Sequence, residues 1–443
     1  MVSPDVAARL ADLSAAIAAS RADPASEAAL AALQAGTPPL EVVRTAAKAS
    51  ALHYDPAAGR PPSGLLALAS AAGLLPVLPP KARPFPVLQA VALVASEPKS
   101  ARPAKPPLVV SGEITHLGRS FVFAARDGDL PEAESVFLGI LDEGWERRMA
   151  GELLFRAAIE DMGDAGGKLV TSVGLWRLAR ALGFKDARVI LRPAVEYLVT
   201  GPRDSRAHAS ILQVLGKSWV DLEALASSGR PLPKDGPARV AEALASPDDA
   251  TCASAVLKLL TDGASAASLA EALSLEAARR AVASKGDPAA PGPIAFAWAA
   301  RFVLDFTRTA DRLHALFQSA LLLRGPSPDL ALPSPPHASG QDALLRSLEE
   351  DLDARRPDPA AACVSAYVAS GGAPARLAEL LASRACRSSA AADGGRALLQ
   401  ADASIAEFLG LKSAEPAMAL AAILAASPRD EAYDERWKAR LGA

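Results

Sequence analysis

Residues 248–286 read DDATCASAVLKLLTDGASAASLAEALSLEAARRAVASKG, and this stretch decides the fold that we predict from the sequence. Its two aspartates precede an apolar run, and an aspartate side chain can cap the first turn of a helix. Gly263 follows that run, and glycine readily adopts the left-handed conformation found at helix ends. After it, Leu269, Leu273 and Ala277 recur every four residues, which places them on one helix face. The stretch therefore predicts two consecutive amphipathic helices.

Two further apolar runs complete a unit of four predicted helices. They extend over 294–307 and 311–323, and the unit closes at Arg324-Gly325-Pro326. The prolines at 288, 291 and 293 separate these runs from the preceding helix, because proline cannot continue a helix interior.

Similar helix starts recur at Asp23, Asp129 and Asp358. Together with the start at Asp249, they are spaced about 110 residues apart, which is longer than most solenoid repeats. The four-residue ladder returns after each start, at Val43/Ala47/Ala51, Met149/Leu153/Ala157 and Leu377/Leu381/Ala385. An apolar stripe needs a neighbour to bury it, so the units should pack on one another. With Pro/Gly/Ser-rich linkers between units, we predict domains at 1–107, 108–228, 229–340 and 341–443.

The first of these units departs from the others. Seven prolines between Gly59 and Pro86 leave room for only short helices, and a divergent first unit is typical of a cap in a repeat array.

Composition favours an all-α, Ala/Leu-rich fold. Half of the residues are hydrophobic but only 5% are aromatic. Alanine dominates the apolar half and has the highest helix propensity, whereas strand-forming residues are sparse and show no period of two. We therefore predict a helical repeat array of about four multi-helix units.

Charge and cysteine content indicate a cytoplasmic protein that binds neither nucleic acid nor membranes. The 47 Lys and Arg residues against 50 Asp and Glu give a net charge of −3, so no large basic field exists. Three cysteines without a CxxC pair are typical of a reducing compartment. Residues 1–20 lack the pattern of a signal peptide. The apolar run 65–78 is interrupted and too short to span a bilayer.

One histidine lies at the spacing of a metal-binding motif. Glu113 and His116 have the i, i+3 spacing of a di-iron carboxylate helix, but the sequence contains no second Glu-x-x-His. Of the other histidines, His53, His208 and His314 each have a carboxylate within four residues, as chance would often provide. Solvated or hydrogen-bonded histidines are the alternative, and we predict no cofactor.

Other reaction classes lack sequence support. Residues 163–168, GDAGGK, lack the first glycine and the Ser or Thr of a phosphate-binding loop, so we interpret them as a turn between helices. No GxGxxG, GxSxG or HExxH motif occurs. Cys252, Cys363 and Cys386 lie in apolar runs and are predicted to be core residues.

Aromatic side chains concentrate between Phe296 and Phe317. Such a stripe at helical spacing is typical of a core, but Trp298, Phe302 and Phe306 could instead line a ligand pocket together with Arg301. Residues 145–176 present the same ambiguity.

The ladders and the run DRLHALFQSAL at 311–321 resemble the helical modules of questin oxidase-like proteins and a related region fused to Rieske ferredoxin domains. This resemblance implies oxidative chemistry on an aromatic substrate, or partnership with an iron–sulfur protein. It also implies a catalytic role for His314, with Asp311 beside it. The chain has no Rieske Cys-x-His pairs.

Two functional hypotheses follow from the sequence. The first is a non-enzymatic helical-repeat scaffold that binds a protein partner, since no catalytic constellation is visible. The alternative is an oxidoreductase, or a small-ligand binder, with a pocket formed by the aromatic residues and His314.

Overall fold

A computed structural model describes residues 4–101, 109–142, 147–287, 293–334 and 340–429, together with Trp437, Ala439 and Arg440. These residues form α-helices, one short 3-10 helix at Pro56–Ala58 and two isolated β-bridges, with no strand in the described ranges. The all-α class is confirmed.

The first half of the chain contains thirteen described helices. They are α1 Pro4–Ala18, α2 Ala22–Gln34, α3 Pro39–Leu52, α4 Ser63–Leu74, α5 Pro84–Ser96, α6 Ile114–Asp127, α7 Leu130–Asp142, α8 Arg147–Ile159, α9 Gly163–Ala181, α10 Ala187–Ile190, α11 Arg192–Thr200, α12 Arg206–Ser218 and α13 Leu222–Ser227.

The second half contains eleven more in the described ranges. They are α14 Gly236–Leu244, α15 Asp249–Thr261, α16 Ala266–Ala283, α17 Pro293–Phe306, α18 Arg312–Leu322, α19 Gln341–Asp353, α20 Pro357–Ala369, α21 Pro374–Ala385, α22 Ala390–Asp393, α23 Arg396–Leu411 and α24 Glu415–Ala426.

The helix ends within residues 248–286 are formed by the residues that the sequence predicts. The Asp248 carboxylate accepts the Thr251 backbone N–H at 2.8 Å and caps α15. Gly263 has a φ of +102°, which is the left-handed region. Leu269, Leu273 and Ala277 are buried on α16, as the ladder predicts.

In each predicted unit, four of the helices share one packing order. The first helix packs on the fourth, the second on the third, and the third on the fourth; the sets are α2/α3/α4/α5, α7/α8/α9/α11, α15/α16/α17/α18 and α20/α21/α23/α24. The number of units and their boundaries stay predictions, which this shared order supports.

The third helices of the four sets form a closed arrangement, here called the central ring. In it α4 packs on α9, α9 on α17, α17 on α23, and α23 on α4. A helix in this position is enclosed by neighbours on several sides, so it must be apolar around most of its circumference. Accordingly, α4 buries nine of its twelve residues, many of them alanine or leucine.

The first unit differs from its sequence expectation in the length of one helix. The expectation of only short helices between Gly59 and Pro86 is wrong, because α4 has twelve residues. Pro61 and Pro62 lie before its first turn, where a missing N–H costs no helical hydrogen bond. The first unit also contacts both α9 and α23 through α4, and its role as a cap stays a prediction.

A charged pair lies at the centre of the ring. Arg177 on α9 donates to Asp402 on α23 at 2.6 Å, and its guanidinium carbon lies 4.6 Å from the centre of the Trp298 ring on α17. A Cβ on Gly73 of α4 would lie 2.2 Å from Asp402 Oδ1. One residue from each of the four ring helices therefore meets at this point.

Candidate functional site

Two histidines from distant parts of the chain meet between α12 and α18. His208 Nε2 lies 3.1 Å from His314 Nδ1, so one ring donates a hydrogen bond to the other. His208 is 6% exposed. Burial lowers the pKa of His208 to about 4, helped by the neighbouring His314, and burial also lowers the pKa of His314. Both rings are therefore neutral at pH 7.

The helix that carries His314 is fixed against its neighbours. One turn beyond that histidine, Gln318 is fully buried and donates to the Ile159 carbonyl at 3.0 Å, at the end of α8. At the start of α18, Arg312 donates to the Ala226 carbonyl at 2.6 Å. These contacts fix the position of His314 relative to α8 and α13.

A buried ion pair joins the two turns beside the histidines. Lys168, whose side chain is fully buried, donates to Asp161 Oδ2 at 2.6 Å. The other oxygen of Asp161 accepts the backbone N–H groups of Gly163 at 2.8 Å and Asp204 at 2.7 Å. The carboxylate thus ties the α8–α9 turn to the α11–α12 turn. Burial lowers the pKa of Lys168, while Asp161 opposes the shift.

The turn between α8 and the regular part of α9 has an uncommon backbone, because residues 164–166 lie within the bounds of α9 but are not helical. Asp164, Ala165 and Gly166 all have positive φ, at 55°, 49° and 80°. Left-handed conformations cost about 1 kcal/mol or more for residues with a side chain, so the surrounding contacts must hold the turn. Tyr197 supplies one, donating to the Asp164 carboxylate at 2.7 Å. The prediction of a turn between helices at 163–168 is confirmed.

A cleft of about 400 Å³, here called the histidine cleft, opens beside His208. Arg126 and Glu160 form a two-bond ion pair on its wall, with both N–O distances at 2.7 Å. Its lining comes from α6, α8, α11, α12 and the turns between them, and consists of Ala125, Arg126, Ala157, Glu160, Asp161, Leu198, Arg203, Ser205, His208, Ala209 and Leu212.

Arg203 is the charged group of the cleft that has no counterion among the described residues. Its guanidinium donates to the carbonyl oxygens of Ala125 at 2.8 Å and Val199 at 2.9 Å, and also to that of Arg126. Among the described residues no carboxylate lies within ion-pair distance of it. The guanidinium is held in place by neutral acceptors, and its charge faces the cleft uncompensated.

The two residues predicted to be catalytic, His314 and Asp311, have different side-chain partners in the structure. The Asp311 carboxylate lies 3.2 Å from Arg156, across a small cleft between α8 and α18. His314 instead pairs with His208, which lies 106 positions away in sequence.

The residues predicted to bind a ligand lie in packed surroundings. Phe302 and Phe306 stack at 5.7 Å between ring centres, and Phe155 meets both edge-on at 5.9 and 5.3 Å. Trp298 is buried beneath Arg177, and Arg301 forms an ion pair with Glu407 at 2.5 Å. This packing favours the core interpretation of the aromatic stripe.

Glu113 and His116 are not brought together with further ligands. Glu113 precedes α6 and His116 lies in its first turn, where both side chains reach the solvent. In the described ranges, no three His, Cys, Asp or Glu side chains are close enough to hold a metal ion. Trp145 and His337 lie outside the described residues. All three cysteines are buried, as predicted.

Sequence reasoning missed most of the histidine cleft. Pro202 predicts only the end of a helix, yet the following Arg203 and the Asp204 amide both belong to the site. Lys168 was considered only as part of a phosphate-binding loop.

Comparison with family models, curated proteins and solved structures finds no match for this chain. The resemblance to questin oxidase-like proteins therefore stays a prediction. Within the described residues, no helix combines the length and the apolar character that crossing a bilayer requires.

Proposed function

We propose that this protein binds a small organic anion, such as a carboxylate with an apolar body, in the histidine cleft. The observation that carries the proposal is the Arg203 guanidinium, which lines the cleft without a described carboxylate partner. The guanidinium is exposed at the cleft, so an incoming carboxylate could pair with it and accept charge-assisted hydrogen bonds from it.

The other charges of the cleft are already paired. Arg126 is neutralised by Glu160, and Asp161 is neutralised by Lys168. Arg203 therefore leaves the cleft with one excess positive charge. This balance favours a ligand with a single negative charge over a cation or a neutral molecule.

The histidine pair supplies polarity without adding charge. Because both rings are neutral at pH 7, the nitrogen that His208 does not use for His314 can donate or accept a hydrogen bond according to tautomer. The apolar walls at Ala157, Leu198 and Leu212 suit a hydrocarbon body. The volume of about 400 Å³ falls within the range of small-molecule sites.

The test uses the fluorescent anion 8-anilinonaphthalene-1-sulfonate, with benzoate as competitor. We expect saturable binding that benzoate reverses and that benzamide, a neutral molecule of the same size, leaves unchanged. Replacing Arg203 with Gln should weaken binding of both anions at least tenfold, and Arg203→Lys should restore part of it because the charge returns.

Arg206→Gln is the matched control. Its side chain is 89% exposed, it is already paired with Asp204, and it lies three residues from Arg203. Equal binding by the wild type and Arg203→Gln, or equal loss in the two Gln variants, would remove the support for an anion site in the cleft.

A second candidate function is the binding of a protein partner, and a specific observation favours it. Trp219 follows α12 with a φ of +52° and is 95% exposed. A bulky residue in this conformation costs energy and buries nothing here, so folding alone gives no reason for it. Exposed tryptophans are characteristic anchors of protein interfaces.

The surroundings of Trp219 define the partner surface. Leu212 is 49% exposed and lies two helical turns earlier on α12. The helix carries Arg206 and Lys217 but no Asp or Glu, so it fits a partner with an acidic rim around an apolar centre.

Site-specific photocrosslinking tests this surface. A benzoylphenylalanine at position 219 should give one defined protein adduct in native extract, whereas the same group at Leu409, another exposed apolar site, should not. Purified partner should then lose binding to Trp219→Ser. Equal adducts from both positions, or unchanged binding, would argue against the surface.

A further inference from the structure

A second cavity, here called the lysine pocket, lies at the first unit. It has a volume of about 410 Å³. The first unit supplies most of its walls, and the glycine turn before α23 closes it. Its lining residues are Tyr54, Asp55, Ala58, Arg60, Pro61, Ser63, Leu93, Glu97, Pro98, Lys99 and Gly394.

Lys99 is the buried basic group of this pocket. Its side chain is only 4% exposed. The backbone next to it is fixed, since the Ser100 N–H donates to the His53 carbonyl at 2.8 Å and the His53 ring bonds back to the Ser100 carbonyl at 3.2 Å. The main chain therefore keeps the Lys99 side chain at the pocket wall, where it is shielded from solvent.

The polar contacts of the Lys99 amine are long. Its Nζ lies 3.5 Å from Glu97 Oε2 and 3.5 Å from Ser50 Oγ. The other buried lysine, Lys168, approaches its carboxylate to 2.6 Å. Normal N–H···O distances are about 2.7–3.2 Å, so the polar contacts of the Lys99 amine are weaker than the ion pair of the Lys168 amine.

The partner carboxylate is held more firmly than the amine. Glu97 Oε1 accepts the Gly64 N–H at 2.7 Å, at the start of α4, where the helix dipole favours negative charge. Burial raises the pKa of Glu97 and lowers the pKa of Lys99. Both shifts make the transfer of a proton from the amine to the carboxylate easier than it is between exposed groups.

We propose that the Lys99 amine binds a small aldehyde or ketone in the lysine pocket by forming an imine with its carbonyl carbon. The apolar side chains of Pro61, Leu93 and Pro98 would contact the hydrocarbon part of this ligand. Tyr54 and Ser63 contribute hydroxyl groups to the same lining, near which a second polar group of the ligand can lie.

The step balances without an oxidant or reductant. Glu97 accepts one proton from the Lys99 ammonium group, and the nitrogen lone pair then attacks the carbonyl carbon while the C=O π electrons move to oxygen. The nitrogen transfers one proton to that oxygen, and the proton held by Glu97 completes the water molecule that leaves. The products are a protonated imine on Lys99, a carboxylate on Glu97 and one water.

The test traps the imine in the full-length protein. The protein is incubated at pH 7 with benzaldehyde and sodium cyanoborohydride, which reduces an imine to a stable amine, and the benzylated lysines are located by peptide mass spectrometry. We expect Lys99 to be labelled at least tenfold faster than Lys258 and Lys285, whose side chains are 72% and 63% exposed.

The comparison among lysines needs no variant, so it does not depend on whether a Lys99 substitution folds. Lys99→Arg serves as a control of assignment and should remove the fast label alone. Labelling of Lys99 at or below the rate of the exposed lysines would show a purely structural ion pair and overturn the proposal. This result is independent of anion binding in the histidine cleft, which involves other helices.

Discussion

The centre of the ring and the histidine cleft both bury polar side chains, but they satisfy them differently. At the centre, Asp402 is 5% exposed and meets the Arg177 guanidinium directly, with the Trp298 ring stacked beneath. In the cleft, Arg203 is exposed and bonds, among the described residues, only to carbonyl oxygens, while the buried His208 bonds there only to another neutral ring. Charged side chains that pair with each other indicate a structural role. Polar side chains without a charged partner indicate a ligand-binding site.

The largest effect expected from this difference is at the centre. Asp402→Ala should lower the free energy of unfolding by about 3 kcal/mol, because it leaves the Arg177 guanidinium in the ring without its carboxylate. Urea denaturation measures the change. The control is Asp342→Ala, which removes a pair whose carboxylate is 77% exposed and should change stability by less than about 0.5 kcal/mol. Similar values for both variants would contradict the structural role of the centre.

Two glycine substitutions sharpen the same comparison. Gly73→Ala should cost about 2 kcal/mol, since its Cβ would meet Asp402 Oδ1 at 2.2 Å and force the carboxylate away from Arg177. Gly216→Ala on α12 has no neighbour within 4 Å and should stabilise by about 0.5–1 kcal/mol through helix propensity. Thermal denaturation gives both values. A neutral Gly73→Ala would mean that the ring helices are not packed this closely.

The pH dependence of stability tests the cleft. The pKa of His208 falls from its ordinary value of 6.5 to about 4 in the folded protein. Between these values the unfolded chain binds more protons, so the stability that is fully present above pH 6.5 is lost as the pH falls towards 4. We expect a loss of about 2 kcal/mol over this window, to which His314 adds in the same direction.

His208→Gln removes the titrating ring but keeps a side chain that can hydrogen-bond to His314. The variant should show a flatter dependence of unfolding free energy on pH between 4 and 6.5. His116→Gln is the control, because His116 is exposed in the first turn of α6. An unchanged slope in His208→Gln would show that other groups cause the loss of stability at low pH.

Helix identity could be predicted from the sequence because its signals are local. Asp248 caps α15 through a residue three positions away, and Gly263 ends the helix through its own backbone angle. The α16 ladder likewise needs only the helical period. Prolines misled the prediction of α4, since their effect depends on whether they lie before a helix or within it.

The ring and the cleft could not be predicted because they depend on contacts between distant segments. A ladder of Leu and Ala identifies a buried face but not its neighbour, and the faces of the four units are chemically alike. His208 and His314 were each weighed against carboxylates nearby in sequence, whereas their partner was 106 positions away. The aromatic stripe on α17 gave the stronger local signal for a pocket, yet it packs against α8 and α9.

Nuclear magnetic resonance of the ¹⁵N-labelled histidine side chains tests the central claim most directly. At pH 7 we predict that the His208 and His314 rings are neutral and that their ring nitrogen resonances shift together, saturably, as benzoate is added. His53 and His116 should stay unchanged. Two protonated histidine rings, or benzoate shifts confined to His53 and His116, would contradict a neutral histidine pair at an anion-binding cleft.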